Sequence, residues 1–266
     1  SPPRRGRPVQ FFSPSTSPDA ASEAVGKTIV LECDRLHFAV VTKKKTAAVS
    51  VVDPTVSGTE NGKPSGGGQG DGDREVELLI SATLAVAARR GTIEPSVREI
   101  LEQAGLSTKA FYRHFRSKDE LLLVTLEEGC RVLAEYLEHR MSTVSEPLDK
   151  VGAWIDGFVR QAVNPSAARR TLPWTLGAGR LATVFPEQFD KNQATIMVPL
   201  HREIANAVKD GSGQTPDPAR DARLIYGYTM DTVRYNLIND TVPNTRTVRH
   251  LIDFAHRALS AKATAP

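Results

Sequence analysis

Residues 96–120, SVREILEQAGLSTKAFYRHFRSKDE, hold three helix starts and one tight turn within 25 residues, and that density predicts a helix-turn-helix running into a third helix. Ser96 and Glu99 have the spacing of a capping box, in which the hydroxyl accepts from the backbone N–H three residues on and the carboxylate reaches back to the cap. Val97, Ile100, Leu101 and Ala104 then recur at intervals of three and four, so one face of the first helix points at a core. Gly105 ends that helix, because glycine takes the positive φ of a C-cap without a Cβ clash. Leu106 is an apolar residue just past the turn, and Ser107 caps a short second helix carrying Thr108, Lys109, Ala110, Phe111, Tyr112 and Arg113. Ser117 and Glu120 repeat the capping-box spacing and start the third helix. Its free N–H groups and positive dipole end suit a phosphate, and Lys118 adds a full charge there.

The second helix is the candidate reader of nucleic acid. Between Ser107 and Lys118 stand four basic residues, Lys109, Arg113, Arg116 and Lys118, and no acidic one, so a polyanion meets no repulsion from this segment. Gly105-Leu106-Ser107, then Phe111-Tyr112-Arg113-His114-Phe115, then Ser117-Lys118-Asp119-Glu120-Leu121 resemble the DNA-binding domain of the TetR family of bacterial transcriptional regulators, over roughly residues 73–125. The resemblance implies that Tyr112 and Lys118 touch DNA phosphates, that Thr108 and Lys109 face base edges, and that Phe111 and Phe115 pack inward. The expected DNA-binding set is Ser107, Thr108, Lys109, Ala110, Tyr112, Arg113, His114 and Lys118, with His114 open between local packing and a phosphate hydrogen bond.

A chain of 266 residues can bury a substantial core in one or two domains. The formal net charge of +3 is too mild to argue for nucleic acid by itself, so the argument rests on the local basic cluster. Cys33 and Cys130 offer neither a disulfide framework nor metal-ligand spacing, which suits a reducing cytoplasm. No apolar run approaches the roughly 18 residues needed to cross a membrane, and the start of the chain is Pro- and Arg-rich, unlike a signal peptide. Gly177-Ala178-Gly179-Arg180-Leu181-Ala182 matches the letters of a dinucleotide fingerprint but follows Pro173-Trp174-Thr175 in place of an apolar strand. Gly62-Lys63 is followed by Pro64 and is no phosphate-binding loop. The histidines show no helical metal pair, and no serine sits in a nucleophile elbow. No cofactor, metal or catalytic residue is therefore expected.

Residues 1–72 read as a low-complexity tail and linker. Prolines 2, 3, 8, 14 and 18 argue for an extended opening, and the glycine-rich run 57–72 for flexibility. Within it, the β-branched composition of 28–52 around Lys43–Lys45 is compatible with a small hairpin. Arg4-Arg5-Gly6-Arg7-Pro8 resembles the core of an AT-hook that lays arginines in a narrow minor groove; a solvated basic terminus is the alternative. Residues 73–130 form the expected head. Val76, Leu79, Ile80, Thr83, Leu84 and Ala87 give its first helix, stopped at Gly91, and the start of a long connecting helix completes it. Leu122, Leu126, Cys130, Leu133 and Leu137 carry that long helix to about Met141, a length of roughly 34 Å. Residues 131–263 are expected to form a second helical domain, with a helix from Pro147 to about Val163 and others near 165–184, 186–209, 217–239 and 244–261, separated by prolines and glycines. The fold class is all-α, with no strand after residue 73.

The large side chains of the second domain include Trp154, Phe158, Trp174, Phe185, Met197 and Tyr228, with Tyr226, Met230 and Tyr235 beside them. They either fill core or line an apolar cavity with polar tips. The family resemblance implies such a cavity for a small-molecule effector. It also implies a homodimer built on the last two helices, with Tyr228, Tyr235, Val248, Leu251, Ile252, Ala255, Ala258 and Leu259 as candidate interface residues and internal core as the alternative. The reading as a whole is a cytoplasmic, homodimeric, sequence-specific binder of double-stranded DNA, a repressor released from a palindromic operator by a largely apolar ligand. Two alternatives stand against it: an architectural DNA binder without ligand sensing, and an enzyme using the same cavity.

Overall fold

Helix boundaries fall where the sequence carries a proline, a capping side chain or a glycine able to hold a positive φ. The computed structural model describes residues 68–261, and all nine regular elements among the described residues are α-helices: α1 (Gly68–Arg90), α2 (Val97–Ala104), α3 (Thr108–His114), α4 (Lys118–Met141), α5 (Pro147–Val163), α6 (Pro165–Val184), α7 (Pro186–Asp210), α8 (Pro218–Ile238) and α9 (Thr245–Ser260). Pro147, Pro165, Pro186 and Pro218 each open a helix, where the missing N–H costs nothing. The hairpin at 28–52, the RRGRP segment, Cys33 and Gly62-Lys63-Pro64 lie outside the described residues.

The capping chemistry is close to that expected. Ser96 Oγ accepts from the Glu99 N–H at 3.2 Å, Glu99 Oε2 accepts from the Ser96 N–H at 2.8 Å, and Gly105 closes α2 at φ 68°. Ser107 Oγ accepts from the Ala110 N–H at 3.2 Å and starts α3. Ser117 Oγ accepts from the Glu120 N–H at 3.1 Å, but Glu120 reaches one residue past the box and takes the Arg116 N–H at 2.6 Å. A second departure is the start of α1. It begins at Gly68, so the last part of the expected 57–72 linker is helical. The helix continues through these glycines despite their poor helix propensity, and its second turn lies against α3, where a Cβ at Gly72 would stand 3.6 Å from His114 Cε1.

Leu79, Ile100, Phe111 and Leu121 are fully buried and, with Leu101 and Phe115, form the core of the head. In the second unit of packing α5 is central, lying against α4, α6, α7, α8 and α9. That position explains why it is apolar on most sides, with Val151, Trp154, Ile155, Phe158, Val159 and Ala162 all buried. Trp154 stacks on Phe158 at 5.0 Å, Tyr226 meets Phe158 edge-on at 5.8 Å, and the indole N–H donates to the Ile196 carbonyl at 3.3 Å. Glu203 of α7 is also buried; burial alone would raise its carboxyl, but hydrogen bonds from Arg202 and Asn206 and the nearby Lys150 ammonium outweigh that and hold it below the ordinary range. A third cluster joins head to body: Ile93 from the α1–α2 loop, Leu122 of α4 and Leu181 of α6, flanked by Leu126, Trp174 and Phe189.

Truncation of a fully buried aromatic of this size costs about 3–5 kcal/mol. Trp154→Ala is expected to lower the unfolding free energy by that amount, read as a lower urea midpoint with little change in slope. An unchanged midpoint would contradict the central packing of α5.

Candidate nucleic-acid interface

Helix α3 rests on α1 and α2 through Ala110, Phe111 and Phe115, all buried. Its other side carries Thr108, Lys109 and Tyr112, all exposed, next to the exposed cap Ser107. Tyr112 is rooted by an edge-on contact with Phe111 at 5.1 Å while 63 % of it stays exposed, so its hydroxyl end projects from the head. Ala110 does not belong to this outward set. At 4 % exposure it packs inward, one turn before the partly buried His114 on the same short helix.

The expectation of an acid-free surface is corrected by the tertiary fold. Glu75 of α1 receives Arg113 Nη1 at 3.0 Å and lies 2.7 Å from His114 Nε2. The hydrogen bond with His114 and the charge of Arg113 hold the Glu75 carboxyl below the usual range against its partial desolvation. His114 is thus a local tie between α3 and α1. On the other flank, Lys118 Nζ donates to Glu94 Oε2 at 3.0 Å. Of the four basic residues in the reader segment, Lys109 and Arg116 have no ion pair among the described residues. The acids lie far away in sequence, Glu75 by 38 residues from Arg113, so no local pattern could reveal them.

The other candidate residues are spread over several places. Trp154 and Phe158 are sealed in the centre of the body. Trp174 is half-buried in the head–body cluster, and Phe185 sits half-buried at the α6–α7 corner. Met197 is half-buried on α7. Tyr228 donates to the Leu251 carbonyl at 3.3 Å and meets Phe254 edge-on at 5.6 Å, so it ties α8 to α9. Ala255 and Leu259 are buried inside the chain and are not available to a partner. Tyr235 and Ala258 are exposed, and Val248, Leu251 and Ile252 are half-buried. Leu224, Ile238, Val242 and Phe254 add exposed apolar surface to the same two helices and the turn between them.

Burial, with Glu127 adding to it, pushes the Cys130 thiol up to about 12, which leaves it protonated and unreactive at neutral pH. Among the described residues no group of three His, Cys, Asp or Glu side chains is placed to hold a metal ion, and no helix is long and apolar enough to cross a membrane.

Residues 79–125 match the sequence profile of the bacterial regulatory proteins of the tetR family. The HTH-type transcriptional repressor KstR2 of Mycolicibacterium smegmatis is 28% identical over 164 residues, covering 60% of this chain and 75% of that protein. The HTH-type transcriptional regulator BetI of Brucella anthropi is 26% identical over 153 residues, or 52% of this chain and 76% of that one. The crystal structure of reduced E. coli NemR superposes with a TM-score of 0.56 at 16% identity, covering 72% of this chain and 100% of that one, which is a likeness of fold.

The Glu75 contact carries a pH signature. A carboxyl held low in the folded chain contributes stability that is present above its unfolded value of about 4.3 and is lost as pH falls through the lower folded value. Glu75→Gln is therefore expected to melt below the wild type at pH 7, with the gap closing as the pH drops below about 4. A gap of equal size at pH 7 and pH 3 would contradict the pairing.

Proposed function

We propose that this chain, a TetR-family transcriptional regulator, binds an inverted-repeat DNA site as a homodimer and represses there until a largely apolar small molecule occupies its C-terminal helices. The observation that carries the reading is the outward set on α3: Thr108, Lys109 and Tyr112 project from a capped, rigidly backed helix, with Lys118 at the start of the next one. Thr108 and Lys109 face base edges in the major groove, while Tyr112 and Lys118 hold phosphates. Arg113 and His114, engaged by Glu75, orient α3 and do not read bases. The repressor sign is supported by the name of the Mycolicibacterium smegmatis relative.

For the dimer, the exposed apolar surface of α8 and α9 supplies the pairing face, with Leu224, Tyr235, Ile238, Phe254 and Ala258 as its exposed members. Two heads held by such a pair read half-sites about 34–36 Å apart or a multiple of that. The effector reading rests on the aromatic content of the body around α5 and on the half-buried Trp174, Phe185 and Met197. The protein acts in the cytoplasm as a binding protein and not as an enzyme, a reading supported by the transcriptional regulators among its relatives.

Selection of bound fragments from a genomic library is expected to return a discrete inverted repeat, and uniform coating of DNA would contradict the reading in favour of an architectural binder. With the selected site in hand, Lys118→Ala should weaken binding to every sequence and reduce the salt slope by about one unit, whereas Lys109→Ala should change base preference. Retained affinity and slope in Lys118→Ala would remove the phosphate contact from the account. Sedimentation at micromolar concentration should show a dimer; a monomer would remove the paired heads.

A further inference from the structure

Gly177-Ala178-Gly179-Arg180 lies within α6, not in a nucleotide-binding turn, and its two outer members face the head. A Cβ at Gly177 would come within 2.1 Å of Ile93 Cδ1 and 2.3 Å of Ile93 Cγ1, so the absence of a side chain there is what lets the α1–α2 loop seat against α6. Arg180 stands three residues further along the same face. Its Nη1 lies 3.2 Å from Glu94 Oε1, next in sequence to Ile93, and its Nη2 lies 2.6 Å from Asp119 Oδ1 at the start of α4. Glu94 is shared: its other oxygen accepts from Lys118 Nζ at 3.0 Å. Two carboxylates and two cations therefore meet at the phosphate-binding end of α4, one of the cations supplied by the C-terminal helices. The neighbouring Glu120 carboxylate is turned to the Arg116 N–H, and the Arg116 side chain is exposed.

We propose that Arg180 sets the DNA affinity of the head: by pairing with both Glu94 and Asp119 it weakens the hold of Glu94 on Lys118 and allows Lys118 to turn to a DNA phosphate. The proposal rests on the reading of Lys118 as a phosphate contact. With Arg180 in place the four side chains sum to zero charge. With it withdrawn they sum to minus one, Glu94 keeps Lys118, and two carboxylates face the DNA backbone. These side chains are 27% to 47% exposed, so the pairs contribute little to stability, and their effect is on the field that an approaching phosphate meets. Because Gly177 and Arg180 share one face, any displacement of α6 that unseats Ile93 also carries the guanidinium away from Glu94.

The test uses the full chain and its selected DNA fragment, with affinity followed by fluorescence anisotropy over a salt series. Arg180→Ala is expected to weaken binding on the order of tenfold at about 0.1 M salt, with the thermal midpoint nearly unchanged, and Arg180→Lys to retain most of the affinity. Glu94→Gln added to Arg180→Ala should recover the loss, and Glu94→Gln alone should tighten binding. In a Lys118→Ala background, Arg180→Ala should have a much smaller effect, because the two act as a unit. Wild-type affinity in Arg180→Ala beside a weakened Lys118→Ala would overturn the proposal, as would losses in the two variants that simply add. Wild-type affinity and slope in Lys118→Ala would overturn the phosphate reading itself, and the proposal with it.

Discussion

Ile93 occupies space that any side chain at position 177 would need, and this close approach between a loop of the head and the middle of α6 places the two halves of the molecule. Leu122 and Leu181 close over it, both buried to within 1 %. Each aliphatic side chain sealed in this way is worth about 1.5–3 kcal/mol, whereas the partly exposed ion pairs around it are worth about 0–1 kcal/mol apiece. The apolar seat therefore supplies the attachment, and the charges decide which arrangement of that attachment suits an anion. Helix α4 runs for 24 residues from this junction into the body, about 36 Å at 1.5 Å per residue, so one rigid element has its first turn beside α3 and its last turns against α5.

The outer surface of α3 and the start of α4, the proposed DNA-facing surface, is consequently not a plain basic patch. Lys109 and Tyr112 are presented outright, while Arg113 and Lys118 are each held by a carboxylate from another element. Such pairing keeps long side chains ordered and makes binding an exchange of one anion for another. The balance of that exchange is then open to control by whatever else touches the same carboxylates.

Most of the fold was legible along the chain because its signals are local. The Ser96, Ser107 and Ser117 caps, the positive φ of Gly105, the prolines that open helices and the three-four spacing of apolar residues all act within a few positions. The inward set Phe111 and Phe115 and the outward set Thr108, Lys109 and Tyr112 were implied by the family resemblance of the segment, and the burial of the two phenylalanines and exposure of the other three agree with it. What escaped was set by contacts across long separations. Glu75 and Glu94 belong to segments that carry no sign of the residues they meet, Ala110 and Ala255 turn inward according to neighbours on other helices, and α1 starts within the glycine-rich run, with Gly72 lying beside His114. The letters Gly177 to Arg180 suggested a nucleotide loop only until α6 gave them a helix face, on which glycine and arginine answer to Ile93 and Glu94.

The proposed DNA-facing end and α6 are coupled through the seat of Ile93 on Gly177 and the pairing of Glu94 with Arg180. Hydrogen exchange of the full chain, free and saturated with its selected DNA fragment, reads this directly. Coupling predicts slowed exchange in α1, α3 and the first turn of α4, and also in the α6 amides around Gly177 and Leu181, where no DNA reaches. Protection confined to the head and the first turn of α4, with α6 exchanging as in the free chain, would contradict it.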